Sequence, residues 1–480
     1  MEGIIIVERP GCNDMESVKK QKVELLEPIL TLQTKRGTFL QGEYVIPVPS
    51  LPLDWKKQAW FKRLTVKPQG PKIGKAAVES FPVFHQTDTT LSLPKFLGIH
   101  WLGAPERDDR VHGDPYVFMF KGKLQTSVER PQKRAHDLCV KQLQHMGGAL
   151  LVLPCGFGKT VVSLAIAATL GRKTLVIVAA VELARQWVDR VQEFLGCEVG
   201  FIQGDVFDVD KPVVVAMLQT LLRRQPDLSM FGTCIVDEAH HVAARSFSQV
   251  MPLIPCRYIL GLSATPNRKD GLKKLLLWTL GPIAFEAKRD DGDGPNVVRC
   301  VVTEGKRAVI TYKNGEVGRS KMITLLTRDV TRNSFILHML QSVLKKNSQR
   351  KVLMLSDRRD QVEWLQGKLE SCGIMLGGMK QVDIEQQKEA QVILSTYHYC
   401  SEGFDLPRLD TLFLLSPRSD IEQSVGRVLR QHPDKQKPLI LDFVDDFSVF
   451  ESQAEKRIKY FQKLGCTIKT YTQQTLLQNQ

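Results

Sequence analysis

The chain has 480 residues, of which 43% are hydrophobic, and it carries a formal net charge of +14. This length predicts two or three domains with packed cores. The positive charge is consistent with a polyanionic partner, and equally with an ordinary basic protein. The 10 cysteines form no C-x-x-C pair, which excludes the usual zinc and disulfide frameworks and indicates a reducing compartment. The sequence shows neither a membrane-spanning apolar run nor a signal or transit peptide, so we expect an intracellular protein that is not secreted.

Residues 1–92 predict an N-terminal accessory region with strand fragments at Gly3–Val7 and Glu43–Val48, broken by Pro-rich loops. The segment Asp54–Arg63 interleaves basic residues with Trp55, Trp60 and Phe61. That pattern suits contact with a nucleic-acid backbone combined with base stacking. It suits equally well an amphipathic surface whose tryptophans dock on the core.

A first α/β domain is predicted over residues 93–287, beginning with a β-rich lead-in that includes a strand at Tyr116–Lys121. A helix follows from Arg130 to about Met146. The apolar run Ala149–Leu153 then predicts a buried strand, and a glycine-rich turn, PCGFGKT, leads into a second apolar helix. Strand, glycine turn and helix N-terminus together form a phosphate cradle, because glycines let backbone N–H groups turn inward.

Within this turn we expect Pro154 to Thr160, including Cys155, Gly156, Phe157 and Gly158, to hold a nucleotide. Lys159 is expected to reach the β- and γ-phosphates, and Thr160 to bind Mg²⁺. Leu153 stands where the strict pattern has its first glycine, so the turn alone is a moderate signal.

Four further buried strands are predicted in this domain, separated by helical segments: Lys173–Ala180, Lys211–Met217, Phe231–Val236 and Arg257–Leu262. Alternating strands and helices predict a doubly wound parallel sheet, in which ligands bind at the carboxyl ends of the strands. Asp237 and Glu238 follow one such end. We expect Asp237 to hold Mg²⁺ and Glu238 to orient and deprotonate the attacking water.

A polar, turn-rich stretch predicts an inter-domain linker at residues 288–300, followed by a second α/β domain at residues 301–480. Its predicted strands and helices are strands Lys351–Leu355, Ile374–Gly377, Ala390–Ser395, Thr411–Leu415 and Pro438–Asp442, and helices Arg358–Ser371, Asp420–Arg430 and Asp446–Leu464. The spacing of Arg427 and Arg430 places both on one helix face. Two guanidinium groups there would stabilise charge developing on a γ-phosphate.

The motifs GFGKT, VDEAH, LSATP and QSVGRVLR, in this order, resemble those of superfamily 2 helicases of the DEAH type. The segments NRKDG and SEGFDLP narrow the resemblance to the branch of the promoter-opening, excision-repair and phage recombination helicases. The segments LSDRR, GGMK and DFS are most similar to helicases of large nucleocytoplasmic DNA viruses, including the poxvirus transcript-release helicase. The resemblance covers about residues 125–465 and implies two RecA-like doubly wound lobes in tandem.

The resemblance implies roles for matching positions. Gln423, Arg427 and Arg430 would complete the ATP site from the second lobe, with Gly403 and Asp405 between ATP and the nucleic-acid strand. Gln132 is the candidate for an adenine contact, because Lys133 stands where the family has its glutamine. Coupling between the nucleotide and the strand would involve His240, Ser263 and Thr265. Nucleic-acid contacts would come from Trp187, Gln219, Thr220, Arg268, Ser356, Arg358 and Thr396.

These observations predict an enzyme that hydrolyses ATP with Mg²⁺ to move along and unwind DNA or DNA–RNA hybrids, in viral-type transcription, repair or recombination. A translocase that releases transcripts or proteins without unwinding is an alternative, and an ATP-binding scaffold is another. Expected partners are DNA, RNA, and transcription or replication proteins, with no membrane. A viral source would place the protein in the nucleus, a viral factory or the virion.

Overall fold

The computed structural model describes residues 36–67, 79–127, 130–154, 156–239, 244–264, 273–287, 294–303, 308–312, 315–401, 406, 408–429, 432 and 435–478. The chain divides into two compact units, Met1–Lys288 and Arg289–Gln480. Across the described ranges, no helix has the length and apolar character that crossing a membrane requires.

The first unit opens with a small mixed sheet of short strands in the order β5-β6-β2-β1-β7, beside a separate β3–β4 pair. The elements are β1 (Phe39–Leu40), β2 (Tyr44–Pro47), two 3₁₀ turns (Val48–Ser50 and Trp55–Lys57), α1 (Ala59–Lys62), β3 (Thr65–Val66), β4 (Phe81–Pro82), β5 (His85–Gln86), β6 (Thr90–Leu93), α2 (Lys95–Leu102) and β7 (Arg107–Asp108). Strand β2 matches the predicted fragment at Glu43–Val48, whereas Gly3–Val7 lies outside the described residues.

The tryptophan side chains of Asp54–Arg63 lie in the interior, and Phe61 is partly buried against them. Trp55 is 5% exposed and Trp60 is fully buried. Trp60 packs edge-on against Trp101, with 6.0 Å between ring centroids, and the apolar cluster around it continues into the main sheet of the first unit. This burial supports docking of the tryptophans on the core and gives no support to base stacking by them.

The main sheet of the first unit has eight strands in the order β11-β10-β12-β9-β13-β14-β8-β15. Its described pairings are parallel except for the β10–β11 hairpin. The elements are α3 (Gln132–Met146), β8 (Gly148–Val152), α4 (Lys159–Leu170), β9 (Thr174–Val178), α5 (Val181–Leu195), β10 (Val199–Gln203), β11 (Val206–Phe207), β12 (Val213–Met217), α6 (Leu218–Arg224), β13 (Thr233–Val236), α7 (Ala244–Val250), a 3₁₀ turn (Met251–Leu253), β14 (Tyr258–Ser263), α8 (Lys273–Leu280) and β15 (Ile283–Glu286).

Both faces of this sheet are buried. Successive side chains of a strand point to opposite faces, and both sets lie in apolar clusters. In β8, Leu150 and Val152 join one apolar cluster, whereas Ala149 and Leu151 join another on the opposite face. Helices therefore cover both faces, and the open edge of the sheet at the carboxyl ends of its strands is left for ligands.

The second unit contains a seven-stranded parallel sheet in the order β18-β19-β17-β20-β21-β16-β22. The elements are β16 (Asn296–Val301), α9 (Arg319–Thr327), α10 (Val330–Lys346), β17 (Val352–Ser356), α11 (Arg359–Gln366), β18 (Gly373–Met375), α12 (Gln381–Gln387), β19 (Val392–Thr396), α13 (Tyr397–Ser401), β20 (Thr411–Leu414), α14 (Glu422–Val428), β21 (Leu439–Val444), α15 (Val449–Lys463), β22 (Thr467–Thr472) and α16 (Gln473–Gln478). It too is buried on both faces, since β17 contributes Val352 and Met354 to one cluster and Leu353 and Leu355 to the other.

Two local expectations differ from the structure. Residues 296–300, expected in the linker, form most of β16, which pairs with both β21 and β22 and buries the apolar side chains of Val297 and Cys300. Tyr116–Lys121 is not a strand. Its N–H groups at Tyr116 and Lys121 donate to carbonyls at helix ends instead of to a strand.

Candidate active site

Three neighbouring strands of the first unit bring the predicted nucleotide-binding residues together. Strands β13, β14 and β8 lie side by side and run parallel, so the segments that follow them meet at one edge of the sheet. The backbone N–H of Leu153 donates to the carbonyl of Ser263 at 3.1 Å, and that of Ala239 donates to Leu262 at 3.1 Å. Strand adjacency thus gathers segments that are distant in sequence.

The turn after β8 has the backbone geometry of a phosphate cradle. Gly156 and Gly158 have φ values of 84° and 83°, in the left-handed region that favours glycine. Gly158 is the N-cap of α4, and Lys159 is its first residue. The first turn of this helix contains no acidic residue, so its N–H groups and positive dipole end remain suited to an anion. Cys155 lies outside the described residues.

Lys159 and Glu238 form an ion pair across the neighbouring segments. The Nζ of Lys159 donates to Oε1 of Glu238 at 3.0 Å, and their side chains are 10% and 20% exposed. Glu238 has φ of 44°, which is uncommon for a residue with a side chain. Such strain persists where surrounding contacts fix the backbone, and it recurs at functional sites.

Asp237 is held from two sides. Its Oδ1 accepts the backbone N–H of Glu238 at 2.9 Å, and its Oδ2 accepts the indole Nε1–H of Trp187 at 2.9 Å. Burial, and then the neighbouring charge of Glu238, raises the pKa of Asp237 to about 6, although Lys159 and the indole act in the opposite direction. A nearby cation would favour the ionised carboxylate.

Trp187 does not fit the expected contact with nucleic acid. It lies in the middle of α5 and is 1% exposed, so in this conformation a strand cannot reach it. The spacing of the buried residues Ala184, Trp187, Val191 and Leu195 along the helix was a signal of an inward-facing stripe. Sequence reasoning did not use that signal, and it missed the bond to Asp237.

Gln132 packs beneath the phosphate turn and is 7% exposed. Its Nε2 donates to the carbonyl of Phe157 at 2.9 Å, and its Oε1 accepts the N–H of Gln125 at 3.0 Å. The guanidinium of Arg130 lies 5.7 Å from the centre of the Phe157 ring. Both ends of the Gln132 amide are therefore engaged within the protein, which supports the turn and does not present an open edge to adenine.

In the second unit, Arg427 lies in α14 and is 8% exposed. Its Nη2 donates to the carbonyl of Cys400 at 3.0 Å, and in the part of the chain that the structure describes, its buried Nε has no hydrogen-bond partner. Gln423 lies in the same helix and is half-buried. A buried guanidinium that keeps an unpaired donor is suited to receive an anion.

The remaining predicted residues fall into two groups. Gln219 is exposed, whereas Thr220 and Ser356 are buried, with Thr220 accepting the N–H of Gly204 and Ser356 donating to Gln361. Thr396 is half-buried and accepts the N–H of Tyr399. Half-buried Arg358 donates to the carbonyl and hydroxyl oxygens of Ser320 and to the hydroxyl of Thr324 in α9. Outside the described residues lie His240, Thr265, Arg268, Gly403, Asp405 and Arg430.

Comparison with known proteins gives these features a family. Residues 125–268 match the family model described as Type III restriction enzyme, res subunit. A protein of Acanthamoeba polyphaga mimivirus, named as a candidate ATP-dependent RNA helicase, is 33% identical over 411 residues, which cover 82% of this chain and 78% of that protein. A helicase candidate of Escherichia phage T5 is 29% identical over 347 residues, covering 67% of this chain and 73% of its own.

Among solved structures, the DNA-bound Type ISP restriction-modification enzyme LlaBIII matches with a TM-score of 0.52 at 15% identity, over 71% of this chain and 31% of that enzyme. This likeness concerns the fold. The mimivirus relative is stronger evidence for the family, because its sequence identity extends over most of both chains. This chain belongs to the superfamily 2 helicases, as its motifs predict, and it is an ATP-dependent nucleic-acid helicase.

Proposed function

We propose that the first unit hydrolyses MgATP with Lys159, Thr160, Asp237 and Glu238, and that the reaction drives movement along DNA. The observation that carries this proposal is the 3.0 Å pair between Lys159 and Glu238. It joins the phosphate turn to the acidic strand end. When phosphates arrive, Lys159 turns to them, and Glu238 is released to orient water and accept its proton.

The residues present fit a magnesium ion. Among the described residues, no three His, Cys, Asp or Glu side chains group as a complete metal cage. Mg²⁺ at a nucleotide is usually held by one or two protein oxygens together with water and phosphate, and Asp237 and the Thr160 hydroxyl supply those. When bound, the ion would neutralise charge on the β- and γ-phosphates.

Arg427, with Gln423 and Arg430, would stabilise the charge that develops on the γ-phosphate. All three residues belong to the second unit. The unpaired Nε of Arg427 supports this role. Gly403 and Asp405 would link the nucleotide to the strand, and His240, Ser263 and Thr265 would couple hydrolysis to the grip on it. Gln132 would act by supporting the turn.

For the nucleic acid, we propose contacts through exposed Gln219, half-buried Arg358 and Thr396, and Arg268. The motif branch and the DNA-bound LlaBIII favour DNA, whereas the mimivirus relative is named for RNA. Viral transcription, repair or recombination is the proposed setting, with a viral factory or the nucleus as the proposed location.

The test is ATP turnover titrated with single-stranded DNA, duplex DNA and RNA across a salt series. We expect the strongest stimulation by DNA, and an activating concentration that rises steeply with salt, because phosphate contacts dominate such binding. Preferential stimulation by RNA would overturn the DNA assignment. Strand displacement measured on the same substrates separates unwinding from stripping, and absence of ATP turnover would leave only the scaffold alternative.

A further inference from the structure

The carboxylate of Asp237 is bound on both oxygens by groups of the protein itself. A carboxylate offers about four lone-pair positions. The backbone N–H of Glu238 occupies one on Oδ1, and the Trp187 indole occupies one on Oδ2, each at 2.9 Å. The remaining positions are left for a cation and its water.

The indole group is suited to fixing a carboxylate. Its Nε1–H can only donate a hydrogen bond and cannot accept one, so it pairs with an acceptor such as a carboxylate oxygen. Its ring is held in turn by burial, since Trp187 is among the largest fully buried side chains of the protein and packs in the cluster that contains Val176 and Val178 of β9. The donor therefore cannot swing away from Asp237 without disturbing the core.

We propose that Trp187 is a positioning residue that fixes the carboxylate of Asp237 for Mg²⁺. The proposal rests on the proposed role of Asp237 as a magnesium-holding residue. Trp187 itself touches neither metal nor nucleotide. Removing the indole N–H lets the carboxylate rotate, and loss of such a supporting bond typically weakens metal affinity by about 10- to 100-fold.

The test compares Trp187→Phe with Trp101→Phe. Both substitutions remove an indole N–H from a buried position in the first unit, where Trp187 is 1% and Trp101 3% exposed. Trp101 is the matched control, because its Nε1 has no hydrogen-bond partner among the residues that the structure describes. Two quantities are measured: the Mg²⁺ concentration for half-maximal ATP turnover, and the Mg²⁺ dependence of binding of a non-hydrolysable ATP analogue by calorimetry.

We expect Trp187→Phe to raise both Mg²⁺ requirements by about tenfold, with the melting temperature in EDTA close to that of Trp101→Phe. Trp101→Phe should leave both requirements at the wild-type value. An unchanged Mg²⁺ requirement in folded Trp187→Phe overturns the proposal. Asp237→Asn distinguishes failure of the Asp237 role from failure of the Trp187 role. If Asp237→Asn also leaves the Mg²⁺ requirement unchanged, the proposed role of Asp237 is wrong. If Asp237→Asn raises the requirement and Trp187→Phe does not, only the role of Trp187 is wrong.

A measurement on the wild-type chain covers the case in which Trp187→Phe does not fold. The six tryptophans give few enough indole N–H resonances to follow after selective ¹⁵N labelling. With the ATP analogue bound, adding Mg²⁺ should shift the resonance of an indole that is protected from hydrogen exchange. If no protected indole resonance shifts when Mg²⁺ is added, the proposal is wrong.

Discussion

The two α/β units share an architecture but carry different charged groups where their strands end. In the first unit, the acidic residues Asp237 and Glu238 are bound by an indole and an ammonium group. In the second, arginines are buried against carboxylates, as in the pair of Arg332 with Asp445, while Arg427 keeps an unpaired donor among the described residues. The same parallel architecture therefore presents different charged groups in the two units, because the residues that follow their strands differ.

The largest expected effect of a single substitution at the acidic site is that of Glu238→Gln. It removes the proposed base for the attacking water, and we expect kcat to fall about 10³-fold, within the usual contribution of general base catalysis. The melting temperature should stay near the wild-type value. Steady-state ATP turnover with saturating DNA is the measurement.

Glu198→Gln is the matched control for that variant, because Glu198 is an exposed glutamate of the same unit that pairs with Lys211. Its kcat should equal the wild-type value. A kcat of Glu238→Gln within tenfold of the wild type would show that this carboxylate is not the base.

In the second unit, we expect Asp445→Asn to act mainly by lowering the free energy of unfolding. Arg332 donates to both carboxylate oxygens of Asp445 at 2.9 Å, and both side chains are nearly fully buried. Breaking such a pair leaves an uncompensated buried charge and typically costs about 3–5 kcal/mol. Urea unfolding, monitored by a probe in the second unit, measures the loss.

Glu363→Gln breaks an exposed pair with Arg359 in the same unit and should lower stability by less than about 1 kcal/mol. Equal losses for Asp445→Asn and Glu363→Gln would contradict the structural role of the buried pair.

A smaller effect concerns Lys95, a buried charge of the first unit remote in sequence from the acidic strand end. Its Nζ donates to the carbonyl of Ile254 at 2.6 Å, and burial lowers its pKa to about 8. The unfolded lysine titrates near about pH 10.4, so between these values the unfolded state binds more protons and stability rises with pH. Relative to Lys95→Met, which cannot titrate, wild-type stability should therefore rise by up to about 3 kcal/mol from pH 7.5 to pH 10.5.

Unfolding of both proteins by urea across this pH series checks the prediction, since other titrating groups cancel in the difference. A difference that is independent of pH would mean that burial does not lower the pKa of Lys95 below its value in the unfolded chain.

The sequence predicted the first unit well because its strands are short apolar runs that end in recognisable motifs. Parallel strand order then brought Lys159 and Glu238 together without further information. Trp187 was harder, since a helix pattern can show that a side chain faces inward but not which polar atom it meets. For Gln132 the motif suggested an adenine contact, and nothing in the sequence indicated that its amide would bond to backbone groups of two loops.

Two other regions were missed for different reasons. Tyr116–Lys121 has the composition of a strand, but its backbone N–H groups at Tyr116 and Lys121 bond to helix-end carbonyls, and only tertiary structure decides that. Helices α9 and α10 were not predicted, because no recognisable motif precedes them in the sequence. The N-cap of α10, where Asp329 accepts the N–H of Arg332 at 3.1 Å, is a local signal of a helix start.

We propose that hydrolysis needs an arginine of the second unit as well as the acidic residues of the first. ATP turnover of Arg427→Ala at saturating DNA tests this most directly, with Arg359→Ala, an exposed arginine of the same unit, as the control. We predict a fall in kcat of about 10³-fold or more for Arg427→Ala, in the range of an arginine that stabilises transferring phosphate, and no fall for Arg359→Ala. A rate near the wild-type value for Arg427→Ala would contradict the account.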